Sequence, residues 1–228
     1  MFSAIIVAGG KGKRLNLGYN KVLYKIKGKT ILEYASEKFI ADKNFSEIII
    51  VIDKTNYEKI TKLFKSEKIK IVIGGENRQA SVYNGLKAIT NEYVIIHDGA
   101  RPNISVTEIK KIKDNVIVGP CTLYTNIKEA TVEINKNKIK DYINREKLVL
   151  IKTPQGFNTE ELKSAYKLAI KNNNQYLDDA SLLFYELNKD ISLIKGNDEN
   201  IKITSKFDLN IMEALLWLKL DFQKMFIL

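Results

Sequence analysis

Ser3-Ala4-Ile5-Ile6-Val7-Ala8-Gly9-Gly10-Lys11-Gly12-Lys13-Arg14 begins as an apolar run and stops at a glycine-rich, cationic turn. A short run of apolar residues without polar alternation is what a strand buried on both faces of a parallel sheet requires. The same signature, rich in Ile and Val, returns at residues 47–52, 69–73, 93–97 and 116–118. Between these runs lie amphipathic stretches long enough for crossover helices, at residues 30–40, 57–66, 78–89 and 106–113. The alternation predicts an α/β protein with a doubly wound, mostly parallel sheet. The period then changes to two. Glu129-Ala130-Thr131-Val132-Glu133-Ile134 alternates, Asn135-Lys136-Asn137-Lys138 offers turn residues, and residues 139–144 alternate again. This reads as a β-hairpin arm over about 127–145, either a peripheral decoration or an arm that reaches another subunit. A strand at 148–151, helices at 159–171 and 178–187, a strand at 191–194 and a closing helix from Phe207 follow. No linker, repeat or low-complexity tract interrupts the series, so residues 1–228 read as one domain.

Composition narrows the function. Lys and Arg number 37 against 27 Asp and Glu, a net charge of +10, and all the cations except Arg14, Arg78, Arg101 and Arg145 are lysines. A guanidinium fork suits phosphate and carboxylate in a way an ammonium does not, so each arginine points to a specific partner. One Cys and one His exclude a disulfide framework and a Cys/His zinc site. His97, ending an apolar strand, reads as a hydrogen-bonded structural residue and not a base. No stretch approaches the ~18 apolar residues of a membrane span, and the N-terminal run has no basic flank before it as a signal peptide would; the expectation is a cytoplasmic protein with no membrane partner. Lysines spread over helix faces read as solvated surface. Basic clusters interleaved with aromatics are not evident, which argues against nucleic acid. A non-catalytic nucleotide-binding or nucleic-acid-binding module is the reading from another class, and it leaves Lys21, Arg145 and Lys202 without a role.

Ligands of open α/β sheets bind beyond the carboxyl ends of the strands. The first such loop, Ala8 to Arg14, has three glycines that let backbone N–H groups approach an anion, with cations behind them and Lys21 seven residues on. It is not a dinucleotide fingerprint, because Leu15 stands where a third glycine is needed, and it has no Gly-Lys-Ser/Thr of a P-loop. The second loop, Gly74-Gly75-Glu76-Asn77-Arg78-Gln79-Ala80-Ser81, again gathers glycines, an arginine and a hydroxyl at a helix start. In His97-Asp98-Gly99-Ala100-Arg101-Pro102, Asp98 is the best-placed carboxylate for magnesium, which phosphoryl sites hold with one or two carboxylates plus substrate phosphates. The Asp178-Asp179 pair reads as an N-cap with a first-turn carboxylate and not as a second metal site.

Taken in order, with Thr153-Pro154-Gln155, Asp178-Asp179-Ala180-Ser181 and Asn200-Ile201-Lys202-Ile203-Thr204, these motifs resemble the 2-C-methyl-D-erythritol 4-phosphate cytidylyltransferase family from residue 4 to about 214. The resemblance implies a Rossmann-like sheet of the nucleotide-diphospho-sugar transferase type. It also implies transfer of CMP from CTP to a sugar-alcohol phosphate, magnesium as cofactor and a homodimer joined through the arm. By position, Arg14 and Lys21 match cations on the CTP phosphates. Arg145 and Lys202 match those holding the acceptor phosphate, with Arg145 serving the partner's site and Asn126 and Thr153 on the acceptor side. Ala8, Gly9, Gly10, Gly75, Arg78, Ser81 and Gly99 match nucleotide contacts, with Asp98 near the metal. Three departures stand out: Asn20 where proline is usual, Leu177 where threonine is usual, and Thr125-Asn126 where the family has Asp-Thr. The last touches the acceptor side, so a ribitol-5-phosphate cytidylyltransferase is the alternative.

Overall fold

In the computed structural model, residues 1–10 and 19–225 are described, with side chains as far as residue 218. Strands β1 (Phe2–Val7), β4 (Phe45–Ile52), β5 (Ile69–Ile73) and β6 (Tyr93–Asp98) pair in parallel in the order β5-β4-β1-β6. The sheet continues through β10 (Val149–Asn158), β7 (Cys121–Asn126) and β11 (Ser192–Lys195). β10 runs antiparallel to both its neighbours, and β7 pairs with β11 in parallel. The chain moves outward from β1 to β4 and β5, then returns to the other side of β1 as β6. The switch point therefore lies where β1 and β6 end, at Val7 opposite Asp98.

Successive residues of the central strands face opposite cores. Ala4, Ile6, Ile48 and Ile50 pack with Leu32 and Phe39 of α1 (Ile31–Ala41) and Ile109, Ile112 and Val116 of α4 (Val106–Val116). Ile5, Ile49, Val51 and Ile96 pack with Val82 and Leu86 of α3 (Arg78–Leu86), Leu162 and Tyr166 of α5 (Thr159–Lys171) and Leu183 of α6 (Asp179–Leu187). Burial on both faces is why these strands carry no polar alternation; each fully buried Ile contributes roughly 1.5–3 kcal/mol. A third cluster joins Ile26, Ile31, Tyr34 and Ile203 to Leu209, Met212 and Leu216 of α7 (Lys206–Met225). It anchors the 200–204 segment beside the strand ends.

Three local expectations change. Residues 116–118 are not a strand: α4 runs to Val116, whose spacing from Ile109 and Ile112 is helical, and Ile117 and Val118 are exposed. The strand is β7, beyond Gly119-Pro120, where the partner β10 is available. The helix expected at 57–66 is only α2 (Tyr57–Thr61), in which Ile60 is the buried residue. The strand at 148–151 continues to Asn158 through a register shift between Lys152 and Gln155 that accommodates Pro154 and its cis Thr153–Pro154 peptide. A small hairpin, β2 (Lys25–Ile26) and β3 (Lys29–Thr30), was not foreseen; it turns on Lys27 and Gly28, both at positive φ.

The arm is β8 (Thr131–Asn135) and β9 (Lys138–Ile143), joined by Lys136 and Asn137 at φ 45° and 63°, the left-handed pair that a two-residue hairpin turn demands. It pairs with no other strand among the described residues, and Ile134, Ile139 and Tyr142 are exposed on it. Among the described residues, no helix is long and apolar enough to cross a membrane.

Candidate active site

Asp98 ends β6 and is 6% exposed. Lys202 Nζ lies 2.8 Å from its Oδ2, Arg78 Nε 3.4 Å from Oδ1, and Arg101 Nε 3.5 Å from Oδ2. Burial opposes the charge of Asp98, but Arg78, Lys202 and Arg101 outweigh it and hold the carboxyl far below the usual carboxylate range. Arg78 also donates from Nη2 to Asp179 Oδ2 at 2.7 Å, and Asp179, wholly buried, accepts from the Tyr166 hydroxyl. Burial works against the Arg78 charge too, and Asp179 and Asp98 overcome it. Three cations against two carboxylates leave this cluster positive. Lys21 adds another charge at its edge, where its Nζ donates to Ile203 O at 2.6 Å.

Backbone and neutral side chains fix this cluster in place. Arg101 Nη1 donates to Asn200 O at 2.8 Å and Ile203 N to Ala100 O at 2.9 Å, so the segment carrying Lys202 is tied to the Asp98 loop. The Thr153 hydroxyl accepts from Asp98 N at 3.0 Å and lies 3.2 Å from His97 Nδ1. His97 Nε2 faces Arg101 O at 3.0 Å; because a carbonyl only accepts, Nε2 carries the proton and Nδ1 accepts from Thr153. Burial pushes the His97 pKa down to about 4. The histidine is thus a neutral internal brace, as its place in an apolar strand predicts.

That brace titrates on unfolding. The unfolded histidine takes up a proton near pH ~6.5, whereas the folded one resists until about pH 4. The unfolded state therefore gains protons first as pH falls, and stability drops from pH ~6.5 towards ~4 by up to about 3 kcal/mol. The loss linked to Asp98 comes lower, below its ordinary carboxylate value. Thermal melts across this window, with His97→Gln flattening the slope, check the assignment; an equal slope in the variant would refute it.

The glycine turns line the same end of the sheet. Ala8 is buried and donates from its N–H to Val51 O, and Gly9 and Gly10 follow it. Gly99 donates from its N–H to Val7 O at 2.9 Å, and a Cβ there would lie 3.1 Å from that oxygen. A Cβ at Gly75 would stand 2.4 Å from Ala80 Cβ, so only glycine lets this loop meet the start of α3. Ser81 Oγ accepts from Gly75 N at 3.1 Å and donates to Asn77 O at 2.8 Å, holding the turn shut.

The structure brings together Lys21, Arg78, Asp98 and Lys202 with the three glycine turns; Arg14 lies outside the described residues. Arg145 stands apart. It donates to Lys128 O at the base of the arm and opens on a pocket of about 540 Å³ with Asn126, Lys128 and Glu146. Thr153, expected on the acceptor side, has its hydroxyl engaged by Asp98 N and His97. Asp178 is the expected N-cap of α6, accepting from Ser181 N at 2.7 Å, and Asp179, the expected first-turn carboxylate, has a further role in holding Arg78. Nothing in the sequence singles out Tyr166, whose buried hydroxyl donates to Asp179.

For a magnesium ion, the described residues offer no group of three or more carboxylate, Cys or His ligands. They do offer Asp98, a lone anionic carboxylate whose nearest partner, Lys202, is 37% exposed along its side chain. That donor set fits a hard cation taking its remaining ligands from phosphates and water, and not a cage built by protein alone.

Two solved structures share this architecture. The 4-diphosphocytidyl-2C-methyl-D-erythritol synthase of Anaerococcus prevotii superposes with a TM-score of 0.85 at 28% identity, covering 95% of this chain and 96% of that one. The Francisella tularensis 2-C-methyl-D-erythritol 4-phosphate cytidylyltransferase gives 0.81 at 29% identity, covering 93% and 98%. Fold and site together define an α/β nucleotidyltransferase. At the level of sequence, the profile of the 2-C-methyl-D-erythritol 4-phosphate cytidylyltransferases matches residues 2–217. A relative of that name from Clostridioides difficile is 36% identical over 229 residues, covering 95% of this chain and 94% of its own. Another from Clostridium tetani is 38% identical over 220, covering 93% and 89%. The chain belongs to this family.

Proposed function

We propose that the protein transfers CMP from CTP to 2-C-methyl-D-erythritol 4-phosphate with release of pyrophosphate, as a cytoplasmic homodimer. The observation that carries the reading is the positive cluster around Asp98, set at the switch point among three glycine turns. The glycine-rich backbone at Ala8–Gly10, Gly75 and Gly99 lets the nucleotide approach the strand ends closely, with Arg78 and Ser81 holding the second turn and its helix. Lys21 and Lys202 neutralise charge on the phosphates, and Arg14 joins them by its place in the sequence. Arg145, Asn126 and Lys202 serve the acceptor side, with Thr153 supporting it by bracing Asp98 and His97.

An acceptor phosphate with a second pKa near ~6 is largely a dianion at neutral pH and needs no general base, which suits a chain whose one histidine is buried and neutral. What the reaction requires is in-line placement of two polyanions and relief of their repulsion. Magnesium held at Asp98 would add neutralisation of the triphosphate. Incubation with CTP, magnesium and either 2-C-methyl-D-erythritol 4-phosphate or ribitol 5-phosphate tests the reading by pyrophosphate release. Turnover with ribitol 5-phosphate alone would overturn the acceptor.

The dimer reading rests on the arm. A two-stranded hairpin is marginal by itself, and this one exposes Ile134, Ile139 and Tyr142. A second copy would cover that face, and Arg145 at its base would then serve the partner's site. Deleting residues 129–142 is expected to give a monomer in sedimentation with little acceptor turnover; a dimer of unchanged activity would contradict it.

A further inference from the structure

We infer that Asn20 is a positioning residue that sets Lys21 against the glycine turn and the end of β4 through its side-chain amide. Asn20 is 4% exposed. Its Nδ2 donates to Ala8 O at 2.9 Å and to Asp53 Oδ2 at 3.1 Å, and its Oδ1 accepts from Val22 N at 3.2 Å. Both amide protons are therefore used, and the oxygen caps the short 3-10 helix Lys21–Leu23. One side chain thus ties together three pieces of backbone: the residue after β1, the residue after β4 and the turn that carries Lys21.

Few residues could do this. Aspartate cannot donate to Ala8 O and would face the Asp53 carboxylate. Serine has one donor, and glutamine adds a methylene to a fully buried reach. Asp53 is itself held by Thr55 and Asn56 and stays ionised below the usual carboxylate range: burial opposes this, and the Thr55, Asn56 and Asn20 hydrogen bonds prevail. It is thus a fixed post for the Asn20 amide. The backbone of Asn20 sits at φ −65° and ψ 120°, which a proline ring would also hold. A ring would fix the same backbone angles without the three hydrogen bonds, whereas this chain fixes them with the amide.

The inference rests on the reading of Lys21 as a ligand of the CTP phosphates. Its test is a double-mutant cycle of Asn20→Ala and Lys21→Ala, read by kcat/KM with radiolabelled CTP and by calorimetric CTP affinity. Asn20→Ala is expected to lower the melting temperature and to lower kcat/KM about tenfold, and the kcat/KM loss is expected to grow little further once Lys21 is alanine. Asn20→Pro is expected to recover most of the loss. An unaffected Asn20→Ala, or losses that add fully in the double variant, would overturn the positioning role. If Asn20→Ala does not fold, Asp53→Asn, which weakens the same anchor, is put through the same cycle. A parent that binds CTP without turning it over would sink the transferase reading, while the affinity cycle still judges Asn20.

Discussion

Lys202→Met is expected to lower kcat/KM on the order of 10²-fold to 10³-fold, the usual cost of deleting one donor to charge that develops in a transition state. Lys202 Nζ rests 2.8 Å from Asp98 Oδ2, yet its side chain remains more than a third exposed. It can therefore exchange Asp98 for a phosphate without dragging the fold with it. Asp98 would keep Arg78 and Arg101 in the variant, so the melting temperature should stay close to that of the parent while turnover collapses. Lys202→Arg should not rescue it: the guanidinium fork already populates both sides of Asp98, and a planar fork does not replace a compact ammonium. Steady-state kinetics and a thermal melt decide the matter, and near-parental turnover would remove Lys202 from the proposed chemistry.

Asp179→Ala should act in the opposite sense, on stability first. Asp179 is wholly buried between Arg78 and the Tyr166 hydroxyl. Deleting one member of a buried pair leaves the other desolvated and uncompensated, which costs about 3 kcal/mol or more. Arg78 retains Asp98 as a second partner, and that keeps the loss near this lower figure. Tyr166→Phe removes a single hydrogen bond and should cost about 1 kcal/mol. Because Arg78 starts α3 beside the second glycine turn, both variants should also weaken CTP binding, in the same order as their stability losses. Urea melts and CTP affinity measure the two effects. An Asp179→Ala protein as stable as the parent would mean that the pair contributes nothing net.

Much of the sheet was legible because hydrophobic periodicity is a local property. β1, β4 and β6 are buried on both faces, and a run such as Ile48-Ile49-Ile50-Val51-Ile52 states that need without reference to the rest of the chain. The strand misplaced at 116–118 shows the limit. Ile117 and Val118 are apolar enough for a strand, but a strand exists only where a partner offers backbone groups, and β10 offers them to residues 121–126. The glycine turns were equally legible, since a backbone that must approach Ala80 as closely as Gly75 does can carry no Cβ.

From the sequence alone came the α/β class, the loops at the strand ends, the arm and the scarce cations Arg14, Arg78, Arg101 and Arg145. Each depends on residue type and near-neighbour spacing, which the chain displays directly. Only the tertiary structure decided which charge meets which. Asp179, expected as a carboxylate in the first turn of a helix, turns to Arg78, 101 residues away in the chain. Lys202 settles on Asp98, Lys21 reaches Ile203 O, and Arg145 stays apart at the arm. Ion pairing depends on distance and desolvation in space, and both are set by how β1, β6 and the 200–204 segment come together, not by any pattern along the chain.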